Sequence, residues 1–152
     1  MPVNVAYAGR QYPPPAVYEV GREKLREFAE AVGATHPAHH DVAPAHALGY
    51  PDVIAPPTFA VVVAQRAEQQ YIADPEAGID FSRVVHADER FTHHRSIHAG
   101  MRLVAVLHVD AIVERAGLAM ITTRTEIAAD DGLPVATVVS TIAVRGPEVA
   151  GS

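Results

Sequence analysis

Apolar residues recur along this chain with two different periods, and the change of period splits it into a helical first half and a β-type second half. In the first half, the stretch REKLREFAEAVG sets Leu25, Phe28, Ala29 and Val32 on one helical face, with Gly33 where such a helix stops. A second helix is predicted over about 57–72. Pro56 and Pro57 suit a helix start, where a missing N–H costs nothing, and the stretch from Thr58 is apolar almost all round in its first half, so the helix is expected to be buried. Before both, Pro13, Pro14 and Pro15 hold the chain extended and 17–20 is a short strand candidate.

Beyond the break at Asp74-Pro75 and the turn at Gly78, the pattern becomes that of strands over 81–92, 101–115, 118–128 and 135–145. Alternation is clear in Leu103, Ala105, Leu107, Val109 and Ala111, and again in Val135, Thr137, Val139 and Thr141. Turns are expected at 114–117 and 130–132. On the first strand, His86, Asp88 and Arg90 share a face, read as the exposed side of the sheet. Two helices followed by four strands, without βαβ alternation, give an α+β domain in which a curved antiparallel sheet wraps the buried helix at 57–72. One domain is expected over 1–146, with a loose tail at 147–152.

Composition narrows the function classes. The chain has 152 residues, 49% of them hydrophobic, and its 12 basic residues are outnumbered by 18 acidic ones for a formal charge of −6. With no basic run, neither nucleic acid nor a membrane surface is an expected partner. There is no cysteine, so disulfides and thiolate chemistry are excluded. The N-terminus lacks the pattern of a signal peptide and the longest apolar stretch, 59–64, is too short to span a bilayer, which predicts a cytoplasmic protein.

Histidine is unevenly spread. Residues 34–57 hold four of the nine histidines and five of the twelve prolines, with room for one short helix near 43–48. His36, His39 and His40, with Asp41 beside them, imitate a metal site, but Pro37 breaks the helix that would align the three rings, so a polar loop is expected and no metal. His93, His94 and His98 read as turn residues, with His93 and His94 on opposite faces.

Two stretches carry a resemblance. Ala34-Thr-His-Pro-Ala-His39, between a helix and a loop, resembles the Asp-x-Asn-Pro-x-His pattern of (R)-specific enoyl-thioester hydratases of the MaoC type, which have the hot-dog fold. Leu48-Gly-Tyr-Pro-Asp-Val-Ile-Ala-Pro-Pro-Thr-Phe59 is similar to the start of the central helix in actinobacterial MaoC-like N-terminal dehydratase proteins. These include the partner subunits of the mycolic-acid-pathway (3R)-hydroxyacyl-carrier-protein dehydratase. Similarity continues through Val20–Phe28, 83–86 and 99–103, so it covers nearly the full chain.

The resemblance implies hydro-lyase chemistry on an acyl thioester of carrier protein or coenzyme A, with no cofactor. That reaction needs an acid/base pair and a donor to the thioester carbonyl. Carried over residue by residue, the family's Asp falls on Ala34 and its His on His39. The backbone donor at the first turn of the central helix falls on Pro57, which has no N–H. Thr58 lies one residue on, about 100° around the helix. His36, His40 and Asp41 are substitute acid/base candidates, and none restores the paired spacing. Candidate catalytic residues are therefore His39 and His36, and candidate substrate-binding residues Pro57 and Thr58. The pattern fits the acyl-binding, catalytically impaired half of a heterodimeric (3R)-3-hydroxyacyl-thioester dehydratase in fatty-acid or polyketide chain elongation. An active homodimeric (R)-hydratase using His39 and a non-enzymatic acyl-CoA binder remain alternatives, and a dimer, homo- or heteromeric, is expected.

Overall fold

The computed structural model describes residues 2–146, so the tail expected at 147–152 lies outside the described residues. In chain order the elements are β1 (Gln11–Tyr12), β2 (Tyr18–Glu19), α1 (Arg22–Val32), α2 (Val42–Ala47), α3 (Ala60–Ile72), β3 (Val84–His93), β4 (Arg102–Arg115), β5 (Leu118–Ala129) and β6 (Pro134–Arg145). All strand pairs are antiparallel in the order β1-β4-β5-β6-β3, with β2 also on β4. The sheet and the buried helix α3 form the α+β hot-dog architecture expected from the sequence.

The β4–β5 hairpin follows from its turn chemistry. Between β4 and β5, Ala116 and Gly117 take φ of 53° and 76°, the two positive values that match a two-residue turn to the twist of its strands. Gly78 is required for a different reason: a Cβ there would stand 2.1 Å from the Pro2 carbonyl oxygen.

The core lies between α3 and one face of the sheet. Ala60, Val63, Ala64, Ala67 and Tyr71 of α3 are buried, as are Leu103, Ala105, Leu107 and Val109 of β4 and Ile121 and Ile127 of β5. Each large aliphatic side chain so placed contributes about 1.5–3 kcal/mol. Phe59, fully buried, packs edge-on against Phe28 of α1 at 5.4 Å and near Tyr18 of β2 at 6.2 Å, fixing where α3 begins.

The structure corrects several expectations. Val32 lies at the end of α1 and is 50% exposed, because Gly33 turns left-handed (φ 73°) before another element covers it. Residues 57–59 form a 3-10 turn ahead of α3, and Val61 and Val62 are half-buried, so the first half of the helix is less enclosed than its composition suggested. Phe81, Ser82 and Arg83 also form a 3-10 turn, capped by Asp80, so β3 starts at Val84.

Alternation on β4 stops at Val109. A bulge at Asp110 lets Ile112 oppose the buried Ile121, so Ala111 does not continue the inward face. On β6 the period is right and the face is not: pairing of Ile142 with Ile121 and of Ala136 with Ile127 turns Ala136, Val138, Ser140 and Ile142 inward, leaving Thr137, Val139 and Thr141 on the other side. A second bulge, between His86 and Asp88 on β3, puts His86 opposite Ile142 and Glu89 opposite Ser140. His86 therefore shares the inward face with Glu89 and not with Asp88 and Arg90.

Candidate functional site

The histidine loop is built from the end of α1. Gly33 and Ala34 close that helix with N–H bonds back to it, Ala34 N reaching Ala29 O at 2.8 Å. Pro37 then starts a 3-10 turn, and the His36 ring caps it, Nδ1 accepting from Ala38 N at 3.1 Å.

The other two rings are also tied to backbone. His39 Nδ1 lies 2.8 Å from Ile54 O, and since a carbonyl only accepts, Nδ1 carries the proton and the neutral ring keeps its Nε2 lone pair. His40 Nε2 donates in the same way to Ala34 O at 2.9 Å. The rings of His36 and His39 stand 6.2 Å apart, nearly perpendicular. Three histidines close in sequence thus serve three separate backbone groups, and among the described residues no group of three or more His, Cys, Asp or Glu side chains is arranged to hold a metal.

The return limb of the loop is zipped down. Ile54 N donates to Ala38 O, Ala55 N to Ile97 O and Ala99 N to Val53 O, at 3.0, 2.8 and 2.9 Å. Arg22 grips Asp52 through two bonds of 2.9 Å, which holds the Asp52 carboxyl below the usual carboxylate range. This aspartate is committed to Arg22. Asp41, the other acid of the loop, is exposed ahead of α2. Among the described residues no carboxylate is hydrogen-bonded to His36, His39 or His40.

Pro56 is buried, and Pro57 and Thr58 are exposed at the start of α3. A pocket of about 120 Å³ opens there, lined by Ala55, Pro56, Pro57, His93, Ser96 and Ile97. It brings Pro57 and the end of β3 together. Thr58 is not among the lining residues.

A second polar group, none of whose members is a sequence-predicted site residue, lies toward the other end of α3. Glu68 is 2% exposed; its Oε2 accepts from Thr123 Oγ1 at 2.9 Å and its Oε1 has no partner. Burial pushes its carboxyl up, and the nearby Glu89 adds to the effect. Ser140 Oγ donates to both oxygens of Glu89, at 2.8 and 2.7 Å, and His86 Nδ1 stands 3.3 Å from Glu89 Oε1. One turn on, the Tyr71 hydroxyl is buried without a partner, and burial raises it to about 12. The buried series Ala60, Ala64, Ala67, Tyr71 carries Glu68 on its own stripe, a spacing that would have revealed it.

Comparison with known proteins agrees with this geometry. Residues 6–138 match the family described as FAS1-like, dehydratase domain region. A UPF0336 protein of Saccharopolyspora erythraea is 53% identical over 146 residues, covering 96% of this chain and 94% of that protein. The UPF0336 protein of Leifsonia xyli is 49% identical over 148 residues, covering 97% and 99%. Among solved structures, the C-terminally truncated HadBC (3R-hydroxyacyl-ACP dehydratase) complex of Mycobacterium tuberculosis superposes with a TM-score of 0.83 at 31% identity, over 94% of this chain and 99% of that one. A MaoC-like dehydratase gives 0.84 at 33% identity, over 93% of this chain and 43% of that longer one. With the histidine loop, the buried α3 and the strand order all in place, the chain belongs to the FAS1-like dehydratase-domain family, on the MaoC-like hot-dog fold.

Proposed function

We propose that this chain is the acyl-binding, catalytically impaired subunit of a (3R)-3-hydroxyacyl-thioester dehydratase, working beside a hot-dog partner that carries the acid/base pair. One observation carries the reading. Where the reaction needs a carboxylate paired with an imidazole, position 34 is an alanine whose carbonyl is engaged by His40, and no carboxylate is hydrogen-bonded to His39 among the described residues. The α3 start adds to it, since Pro57 has no N–H to offer a thioester carbonyl.

The size of the pocket supports a shared site. At about 120 Å³ it is well below the roughly 300–1,000 Å³ that encloses a small-molecule ligand, so an acyl chain needs walls from a second subunit. The HadBC structure that this chain resembles is itself a complex of a 3R-hydroxyacyl-ACP dehydratase. The thioester, on carrier protein or coenzyme A, is then bound jointly, and the setting is fatty-acid or polyketide chain elongation in the cytoplasm.

The test is hydration of an enoyl-CoA series, crotonyl-CoA included, by this chain alone and after co-expression with a MaoC-like protein bearing an intact Asp-x-Asn-Pro-x-His. Turnover is expected only in the second preparation. Full activity of the chain alone, lost in His39→Ala, would establish the homodimeric hydratase instead, and binding without turnover in either preparation would establish an acyl-CoA binder.

A further inference from the structure

Most arginines of this chain lie against a carboxylate, Arg22 on Asp52 and Arg124 on Asp110 among them. Arg66 does not. It is exposed on α3 of a chain whose formal charge is −6, and no acid lies within ion-pair reach of it among the described residues. Arg115 and Arg145 also lack such a partner, but each lines a cleft that it shares with an acid, Glu114 and Asp80 respectively.

The guanidinium of Arg66 is held in place by the packing that starts α3. It lies over the Tyr18 ring, 5.1 Å from its centroid. Tyr18 in turn is fixed by its pairing with Leu103 and by the buried Phe59 ring at 6.2 Å. A guanidinium stacked on an aromatic face keeps the N–H groups of its edge free to donate.

What those groups face is an open cleft of about 580 Å³ on the solvent side of α3, lined by Lys24 of α1 and by Val62, Gln65, Arg66 and Gln69 of α3, with Pro15 at its rim. No acid is among its lining residues. Lys24 has Glu27 at 3.5 Å, but both side chains are exposed, and a pair of this kind yields readily to a stronger anion. Burial pushes the Tyr18 hydroxyl up, and Lys24 and Arg66 both stand close enough to draw it back, so the two cations flank one point. A guanidinium fork beside an ammonium, with two side-chain amides and no acid, suits a phosphate.

The cleft is also in line with the pocket beside Pro57. Thr58, Val62, Gln65 and Gln69 recur at i, i+4, i+7 and i+11, which is one stripe of a helix. From Pro57 to Arg66 the helix rises about 13 Å. The pantetheine arm of a thioester carrier is about as long as four extended residues, roughly 14 Å.

Resting on the reading that this chain binds an acyl thioester at the start of α3, we infer that Lys24 and Arg66 form a phosphate site that anchors the far end of the pantetheine arm, with the arm lying over Val62 on the outer face of the helix. A phosphate ester ends that arm both in coenzyme A and on a phosphopantetheinylated carrier protein, so the site accepts either source.

Titration calorimetry tests this with butyryl-phosphopantetheine and butyryl-pantetheine, saturated thioesters that the dehydratase reaction cannot turn over and that differ by one phosphate. On the chain alone and in the co-expressed complex, wild type should bind the phosphorylated form at least about tenfold more tightly. Arg66→Gln should bring that ratio close to one and leave the affinity for butyryl-pantetheine unchanged, and Lys24→Gln should lower the ratio in part. Butyryl-CoA and a butyryl carrier protein, as further arms, rank the two sources, and a gain over butyryl-pantetheine for either, lost in Arg66→Gln, supports the site. The inference is overturned by a ratio near one in wild type, by a ratio that neither substitution changes, by equal weakening of both thioesters in Arg66→Gln, or by no binding of either thioester up to millimolar concentration. Each of those results leaves the impaired-subunit reading to the turnover assay, while turnover by the chain alone overturns that reading and leaves the phosphate site to the affinity ratio.

Discussion

The two ends of α3 differ in what their polar residues are for. At the N-terminal end, where family resemblance places the chemistry, three histidines are each held by a backbone group and no carboxylate is bonded to them among the described residues. Toward the C-terminal end, the buried Glu68 of α3 is bonded to Thr123 and the half-buried Glu89 of β3 to Ser140, with the exposed His86 ring beside Glu89, in a place the sequence motif does not mark. On the proposed reading motif position and chemical capacity have separated: no carboxylate is bonded to the histidine loop among the described residues, while the acids of the second end are bonded to hydroxyls of the sheet.

The largest effect is expected at the anchor of the first end. Phe59 joins α3 to α1 and β2 through its contacts with Phe28 and Tyr18, so Phe59→Ala leaves a cavity costing about 3–5 kcal/mol. In thermal unfolding that is a drop on the order of 10 °C. A shift no larger than that of a surface substitution would mean the loop does not depend on this anchor.

At the second end the expected change is a gain. Glu68 has its carboxyl pushed up by burial, so the folded chain holds a proton that the unfolded chain releases, and stability falls as pH rises from the ordinary carboxylate value of 4.5 through the raised one. Glu68→Gln keeps an acceptor for Thr123 and removes that penalty. The variant should be about 1–2 kcal/mol more stable than wild type near pH 8 and indistinguishable from it near pH 4. Equal stability at both pH values would show that Glu68 is not held protonated by the fold.

Ser140→Ala is expected to cost about 1 kcal/mol in urea unfolding, toward the middle of the range for a hydrogen bond to a partly exposed acid. The coupling is checked by combining it with Glu89→Gln. If the losses simply add, Ser140 and Glu89 act independently and the polar face of β3 is not one unit.

How much of this was legible in the sequence follows from what sets each feature. Helices α1 and α3 and the four long strands were readable because burial of one face imposes its period on the residues. The departures from the family pattern at Ala34 and Pro57 were readable because they concern residue identity at a motif position. The faces of β3 and β6 were not. On β6, apolar and hydroxyl side chains occupy both parities, so only pairing of Ile142 with Ile121 tells inside from outside. On β3 a single bulge at Ala87 exchanges the faces of everything after it, which is why His86 parts from Asp88 and Arg90. The pocket beside Pro57 joins Ile97 and His93 to it across a long sequence separation that no local pattern encodes.

The smallest effect is the most discriminating between the two ends. In the co-expressed complex, His39→Ala on this chain should change turnover by no more than about twofold, on the order of 0.4 kcal/mol. Among the described residues its ring has no carboxylate bonded to it to set up proton transfer, and its bond to Ile54 O is one of several that close the loop, Ile54 N to Ala38 O among them. Removing it therefore takes away one structural hydrogen bond and leaves the loop path intact. The histidine of the partner's intact Asp-x-Asn-Pro-x-His, replaced in the same way, should cost about 10²–10⁴-fold, the usual contribution of a working acid/base group. A hundredfold loss from His39→Ala on this chain would place the chemistry back in its own loop, and the separation of motif from capacity would fail with it.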